Sequence, residues 1–145
     1  TVVCGGNEEL HAKLQKRFGD DRHMHIHGLV DNVPQLMHSA DLFITKPGGL
    51  STTEAAACGL PMVLMDTVAG CEGHNLTFFL QRGGAVTADT PRLLADTAMA
   101  LLADPERLRA MSDALRPAEA QTPAEQIYDC LCRPQTRLDT AQRYA

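Results

Sequence analysis

Aromatic residues and positive charge are both scarce in this chain. It contains no tryptophan, two tyrosines and four phenylalanines, and its 13 lysines and arginines are outnumbered by 18 aspartates and glutamates. A surface that binds nucleic acid needs a stripe of basic residues and commonly aromatic side chains on which bases stack. The composition therefore argues against a nucleic-acid partner.

Long apolar runs and a cysteine framework are also missing. No apolar stretch approaches the roughly 18–20 residues that cross a bilayer, so we expect any membrane contact to be peripheral. The five cysteines are odd in number and match no spacing typical of a zinc site, which favours reduced thiols over disulfides. These features indicate a cytoplasmic protein.

The sequence instead offers short apolar segments that alternate with helical patterns. Strands are predicted at residues 1–4, 23–27, 42–44, 61–65 and 85–87, and a helical pattern follows each of them. This alternation is typical of βαβ units whose parallel sheet is covered on both faces. We predict an α/β fold, a Rossmann-like three-layer α/β/α domain over residues 1–133, with a polar tail at residues 134–145.

A glycine turn between a predicted strand and a predicted helix is the most informative stretch. Its sequence, Thr-Lys-Pro-Gly-Gly-Leu-Ser-Thr-Thr-Glu-Ala, covers residues 45–55. Free N–H groups and the positive end of the helix dipole meet there, and glycine leaves no Cβ in the way, which suits a phosphate group. The turn matches neither the P-loop nor the Gly-x-Gly-x-x-Gly pattern.

Other loops are expected beside this turn. In parallel sheets, ligands lie outside the carboxyl ends of the strands. The loops at those ends are predicted at residues 5–7, 28–31, 45–51 and 66–74. Together they form the candidate site.

Structural interpretations compete with ligand binding at several residues. Ser51 and Glu54 also fit the Ser-x-x-Glu capping box, in which both side chains only close the first turn of a helix. Lys46 could pair with phosphate or remain in solvent. The histidines within residues 23–27 share one face if that segment is a strand, and they could then bind a metal ion.

Four motifs carry a resemblance to a known family. They are Ile-Thr-Lys-Pro-Gly-Gly at residues 44–49, Glu-Ala at 54–55, Gly-Leu-Pro at 59–61 and Ala-Gly-Cys-Glu-Gly-His-Asn at 69–75. With them the chain resembles, from residue 2 to about residue 115, the donor domain of the diacylglycerol glycosyltransferases, which include monogalactosyldiacylglycerol synthases and bacterial processive glucosyltransferases. More distantly, it is similar to the N-acetylglucosaminyltransferase of peptidoglycan lipid synthesis. The resemblance implies the carboxy-terminal half of a GT-B fold of the family 28 type.

The resemblance also implies a binding site for a UDP-sugar donor. Uracil would lie against a backbone edge, the diphosphate over the glycine turn, the ribose on a carboxylate and the hexose on the loop before residue 75. The residues implied are Leu29, Val30, Gly48, Gly49, Leu50, Ser51, Thr52, Glu54, Cys71, Glu72, His74 and Asn75. Cys71 departs from the family, which commonly has glutamine there, and a thiol is a weak hydrogen-bond partner. His74 could equally be an ordinary residue at a helix start.

The activity implied by the resemblance is inverting transfer of a hexose to a lipid acceptor of the diacylglycerol type, with peripheral membrane contact. No metal or cofactor is expected, because N–H groups and the helix dipole would stabilise the leaving diphosphate. The general base is expected in an amino-terminal domain, so no catalytic residue is assigned to this chain. Two alternatives stay open: a nucleotide-sugar-binding module or subunit that is inactive without a separate acceptor-binding domain, and a nucleotide-sugar epimerase.

The resemblance has a consequence for the sheet. Donor domains of the family begin with a further strand, turn and helix before the strand equivalent to residues 2–3. That further strand is central in the usual 3-2-1-4-5 order. We therefore expect an amino-terminally truncated domain that either closes the gap itself or completes its sheet through a second copy, as a homodimer.

Overall fold

The computed structural model describes residues 1–65, 71–116 and 123–132. In chain order, its elements are β1 (Val2–Val3), α1 (Glu8–Phe18), β2 (Ile26–His27), α2 (Val33–His38), β3 (Phe43–Thr45), α3 (Gly49–Ala57), β4 (Met62–Met65), α4 (Cys71–Arg82), β5 (Ala85–Ala88), α5 (Pro91–Leu102), α6 (Pro105–Leu115) and α7 (Pro123–Cys132). All of the strand pairs described are parallel. The predicted α/β fold with parallel strands is confirmed.

The strands form two separate groups. β1 pairs with β2, and β3, β4 and β5 pair in that order. β1 and β3, which flank the position of the expected further strand, do not pair with each other in the described part of the chain. The expectation that the chain closes this gap itself is therefore wrong for these residues, because each of the two strands keeps an unpaired edge. Completion through a second copy remains a prediction.

Helices cover both faces of the three-stranded group. Successive side chains of a strand point to opposite faces, so Met62 and Leu64 of β4 pack in one buried cluster and Val63 packs in another. The first cluster contains residues of α2, α3, α4 and α6. The second contains residues of α5 and α6. This arrangement agrees with the predicted three layers.

Side chains satisfy free backbone groups at the N-termini of α1, α5 and α6 and at the C-terminus of α6. Asn7, Thr90 and Asp104 precede α1, α5 and α6, and each accepts a hydrogen bond from the N–H group three residues later, at 3.0, 3.2 and 3.0 Å. Arg82 of α4 donates to main-chain oxygens at the C-terminus of α6, with the shortest bond, 2.7 Å, to Arg116 O. Its positive charge also suits the negative end of that helix. These bonds join α4 to α6.

One predicted strand is shorter than expected. β2 contains only Ile26 and His27, whereas His23 lies in a turn in which its N–H donates to Asp21 Oδ1 at 2.9 Å. The histidines of residues 23–27 therefore do not share one strand face, which removes the geometry on which the metal-site alternative rested. Within the described ranges, no group of three His, Cys, Asp or Glu side chains could hold a metal ion.

The helices of the described residues are short. The longest, α4 and α5, have 12 residues each. Among the described helices, none is long and apolar enough to cross a membrane. The polar tail predicted at residues 134–145 lies outside the residues that the structure describes.

Candidate functional site

The turn between β3 and α3 leads to the free N-terminus of a helix. Gly48 is the N-cap residue and has no side-chain cap, and α3 begins at Gly49. The N–H of Thr52 bonds back to Gly48 O at 3.1 Å, whereas the N–H groups of Gly49, Leu50 and Ser51 have no acceptor among the described residues. Three donors at the positive end of a helix dipole are therefore available to an anion.

The capping-box interpretation of this turn is wrong. A capping box would require Ser51 to be the N-cap residue and Glu54 to be the third residue of the helix. Instead the helix begins at Gly49, so Ser51 is already its third residue and Glu54 its sixth. Glu54 is exposed, and its side chain forms no hydrogen bond or ion pair with the described residues. No contact among the described residues gives its carboxylate a role in stabilising the fold.

Thr52 supports the turn from beneath rather than facing a ligand. It has no solvent-exposed surface, and its Oγ1 donates to Gly48 O at 2.8 Å. The neighbouring Thr53 makes a similar bond to Gly49 O at 2.7 Å. The resemblance places Thr52 among the donor-binding residues, but its hydroxyl is not available to a ligand, because the side chain is buried and its proton is bonded to Gly48 O. Leu50, in contrast, is 82% exposed.

The two glycines of the turn are not required by the fold. Gly48 has an ordinary extended conformation, with φ −72° and ψ 137°, and Gly49 has no positive φ. A Cβ on Gly48 would lie 3.8 Å from Lys46 Cε, and one on Gly49 would lie 3.6 Å from Asn75 Nδ2, both ordinary contact distances. Because neither backbone conformation nor packing excludes a side chain, the missing Cβ atoms leave the backbone open to close approach from outside.

The first turn of α4 lies against the β3–α3 turn through two contacts. Asn75 Nδ2 donates to Pro47 O at 3.0 Å, and Lys46 Nζ forms an ion pair with Glu72 Oε1 at 2.8 Å. The structure thus brings Glu72 and Asn75 to the glycine turn, as the predicted site requires. The sequence alone did not pair Lys46 with Glu72, because residues 26 positions apart in different elements leave no local signal.

The rest of the predicted hexose loop is described only in part. His74 lies in α4 and is exposed. Cys71 is the first residue of α4, but its side chain and residues 66–70 lie outside the described part of the chain. The departure from the family at Cys71 therefore stays an expectation.

A second concave surface lies at the carboxyl end of β2. It has a volume of about 580 Å³ and is lined by Leu29, Val30, Asp31 and Asn32. Leu29 is 84% exposed there. This pocket belongs to the two-stranded group, and no hydrogen bond among the described residues joins it to the β3–α3 turn. Leu29 and Val30 thus lie at a strand end, as predicted. That strand belongs to the β1–β2 group, whereas the glycine turn follows a strand of the β3–β4–β5 group.

The comparisons with known proteins agree with the motifs of the site. A family model described as Glycosyl transferases group 1 matches residues 1–104. The processive diacylglycerol beta-glucosyltransferase of Bacillus subtilis (strain 168) is 30% identical over 145 residues, 98% of this chain and 37% of that protein. The enzyme of the same name from Bacillus cereus (strain B4264) is 37% identical over 134 residues, covering 90% of this chain and 34% of its own length.

A third relative of the same name, from Staphylococcus saprophyticus, is 32% identical over 114 residues, which are 79% of this chain and 29% of that protein. The chain spans about a third of the length of the curated relatives it matches. The predicted resemblance to diacylglycerol glycosyltransferases is confirmed. Since the family model covers more than two thirds of its residues, including the whole β3–α3 turn, the chain belongs to the group 1 glycosyl transferase family.

Proposed function

We propose that this chain is the donor-binding half of a UDP-sugar-dependent glycosyltransferase that transfers a hexose to a lipid acceptor of the diacylglycerol type. The observation that carries the proposal is the set of three free N–H groups at the start of α3, on a turn whose glycines the fold does not require. The family supports the reaction class. The printed names of the relatives support the class of acceptor.

The free N-terminus of α3 is proposed to hold the diphosphate. In inverting transfer, a hydroxyl of the acceptor attacks the anomeric carbon of the hexose while the bond to the β-phosphate oxygen breaks. Negative charge then grows on the leaving diphosphate, and fixed N–H donors with the helix dipole stabilise it without a metal ion. The role of this chain in the reaction is thus to bind the donor and stabilise its leaving group. No residue of the chain is proposed as the general base.

The outer parts of the nucleotide are assigned to residues on either side of the turn. Glu54, exposed in the second turn of α3, is proposed to accept from the two ribose hydroxyls, because a carboxylate offers a pair of acceptor oxygens. Leu29 and Val30, at the second concave surface, are proposed to hold uracil through their backbone. Glu72 and Asn75 are proposed to face the hexose. Transfer to a lipid further implies peripheral contact with the cytoplasmic face of a membrane.

Nucleotide selectivity tests the donor. We expect UDP to bind the protein at least about tenfold more tightly than ADP, because a uracil edge presented to a fixed backbone discriminates bases by roughly 1.4 kcal/mol or more. Isothermal titration calorimetry of the protein with each nucleotide measures both affinities. Equal binding of the two, or binding of neither, would reject the proposal.

The ribose contact is tested at Glu54. For Glu54→Gln we expect UDP affinity to fall about fivefold to tenfold, because the charged acceptor pair is lost. If Glu54 were only a solvated charge, removing it would leave the affinity of an anionic ligand unchanged or raise it, so the sign of the effect separates the two cases. The loss should shrink when 2′-deoxyuridine diphosphate replaces UDP. Glu8→Gln on α1, also an exposed helical glutamate, is the control and should leave binding unchanged.

A further inference from the structure

An ion pair joins the two loops proposed to hold the diphosphate and the hexose. Lys46 Nζ lies 2.8 Å from Glu72 Oε1, with 64% of the lysine side chain and 34% of the glutamate side chain exposed. An ion pair this open to water adds little to folding stability, because solvent screens it and both side chains lose rotamer freedom. Its larger effect is on the position of the Glu72 carboxylate.

A second contact fixes how the loops meet. Asn75 follows Glu72 by three residues and therefore lies on the same face of α4. Its side chain donates to the main-chain oxygen of Pro47, the residue directly after Lys46. Lys46 and Pro47, which are adjacent in the β3–α3 turn, thus contact Glu72 and Asn75, which are about one turn apart on α4. Glu72 is kept on the face of α4 that meets the turn.

The ion pair leaves part of the carboxylate unused. Oε1 of Glu72 accepts from Lys46, and Oε2 has no hydrogen bond among the described residues. An ionised carboxylate has about four acceptor sites on its two oxygens, so hydroxyl groups of a sugar can bind there. The ammonium group also offsets the negative charge of Glu72, which would otherwise repel a diphosphate bound at the start of α3.

We infer that Lys46 is a positioning residue that holds Glu72 for the hexose of the donor. The inference rests on the proposed function, since it requires a UDP-hexose over the β3–α3 turn. Lys46 binds one oxygen of the carboxylate and cancels its charge, and the other oxygen accepts from the hexose. The diphosphate itself is held by the N–H groups of α3 and not by the ammonium group.

The test compares UDP with UDP-glucose and UDP-galactose, each titrated into the protein by calorimetry. The affinity of the tighter-bound UDP-hexose divided by that of UDP measures the hexose contribution, because both ligands share the uridine and the two phosphate groups. For Lys46→Met we expect this ratio to fall about fivefold to tenfold, as for the loss of one ordinary hydrogen bond. Glu72→Gln should give a similar fall.

The double variant and the conservative variant sharpen the test. Lys46→Met combined with Glu72→Gln should lower the ratio no further than either change alone, because both residues act through one pair. Lys46→Arg, which keeps a cation in place, should retain most of the ratio. Lys13→Met is the matched control: it removes an exposed pair with Glu9 on α1, 4.0 Å long, and should change neither affinity. Circular dichroism checks that each variant is folded.

A direct contact between Lys46 and the diphosphate would give a different pattern. Lys46→Met would then weaken UDP at least as much as UDP-hexose, because the terminal phosphate of UDP carries the larger negative charge. The ratio would stay constant or rise, and the effect of Glu72→Gln on the ratio would be independent of Lys46. That pattern overturns the inference and leaves the proposed function intact. If the unchanged protein binds no UDP, the proposed function fails and this inference fails with it.

Discussion

Replacing both Gly48 and Gly49 by alanine should weaken UDP binding by at least about tenfold, or roughly 1.4 kcal/mol, while the protein stays folded. The two Cβ atoms would stand beside the free N–H groups of α3 and keep an anion from reaching them. The fold has room for both, since their nearest neighbours would lie 3.8 and 3.6 Å away. Alanine is worse than glycine at an N-cap and better inside a helix, so the two stability effects oppose each other within about 1 kcal/mol.

Calorimetric titration with UDP and thermal unfolding followed by circular dichroism measure the two quantities separately. Ligand loss with an unchanged melting temperature supports an anion site at the turn. Unchanged UDP affinity in a folded variant would show that nothing approaches the backbone at these glycines, and would remove the main support for the proposed function. A large loss of stability would instead mean that the glycines serve the fold.

Leu115→Ala should lower the free energy of unfolding by about 2–5 kcal/mol, because this side chain is 3% exposed in the cluster beneath β4 and its loss leaves a cavity. Gly84 lies directly against it: a Cβ at residue 84 would overlap Cδ2 and Cγ of Leu115. Gly84→Ala alone should therefore cost about 1–3 kcal/mol through overpacking. In the double variant the new methyl group occupies space that Leu115 vacates. The double variant should therefore lose less unfolding free energy than the sum of the losses of the two single variants.

Urea denaturation of the two single variants and the double variant forms a cycle that measures this coupling. We expect a favourable coupling of about 1 kcal/mol. Strictly additive losses would mean that residues 84 and 115 do not share one space. The substitutions Gly48→Ala and Gly49→Ala are the matched control, since they add the same methyl group at glycines that have room for it.

Much of the fold follows from local sequence patterns. The strand at Met62–Met65 is a continuous apolar run, which marks a strand buried on both faces, and the structure buries three of its four residues completely. Thr90 and Asp104 each precede a proline, and both cap the helices that follow. These features depend on neighbours a few residues away, so the sequence displays them.

Local patterns misled where a tertiary contact decides between alternatives. Ser51 and Glu54 have capping-box spacing, yet α3 starts at Gly49, two residues before Ser51. With this start, the Thr52 side chain points inward and bonds to Gly48 O. Alternation in residues 23–27 predicts a strand, but only the two residues that pair with β1 form one. Propensity is a weak guide at such places, because burial and pairing outweigh it.

The sequence by itself determined the order of strands and helices, the glycine turn at the end of β3 and the membership of a glycosyl transferase family, since each is written in consecutive residues. Only the tertiary structure decided that the fold does not require glycine at residues 48 and 49 and that Thr52 is buried. It also decided that Lys46 forms an ion pair with Glu72, 26 residues away in the chain. The physical reason is that space and charge around a residue depend on elements distant in sequence. Which atoms are left available to a ligand is known only once those elements have packed.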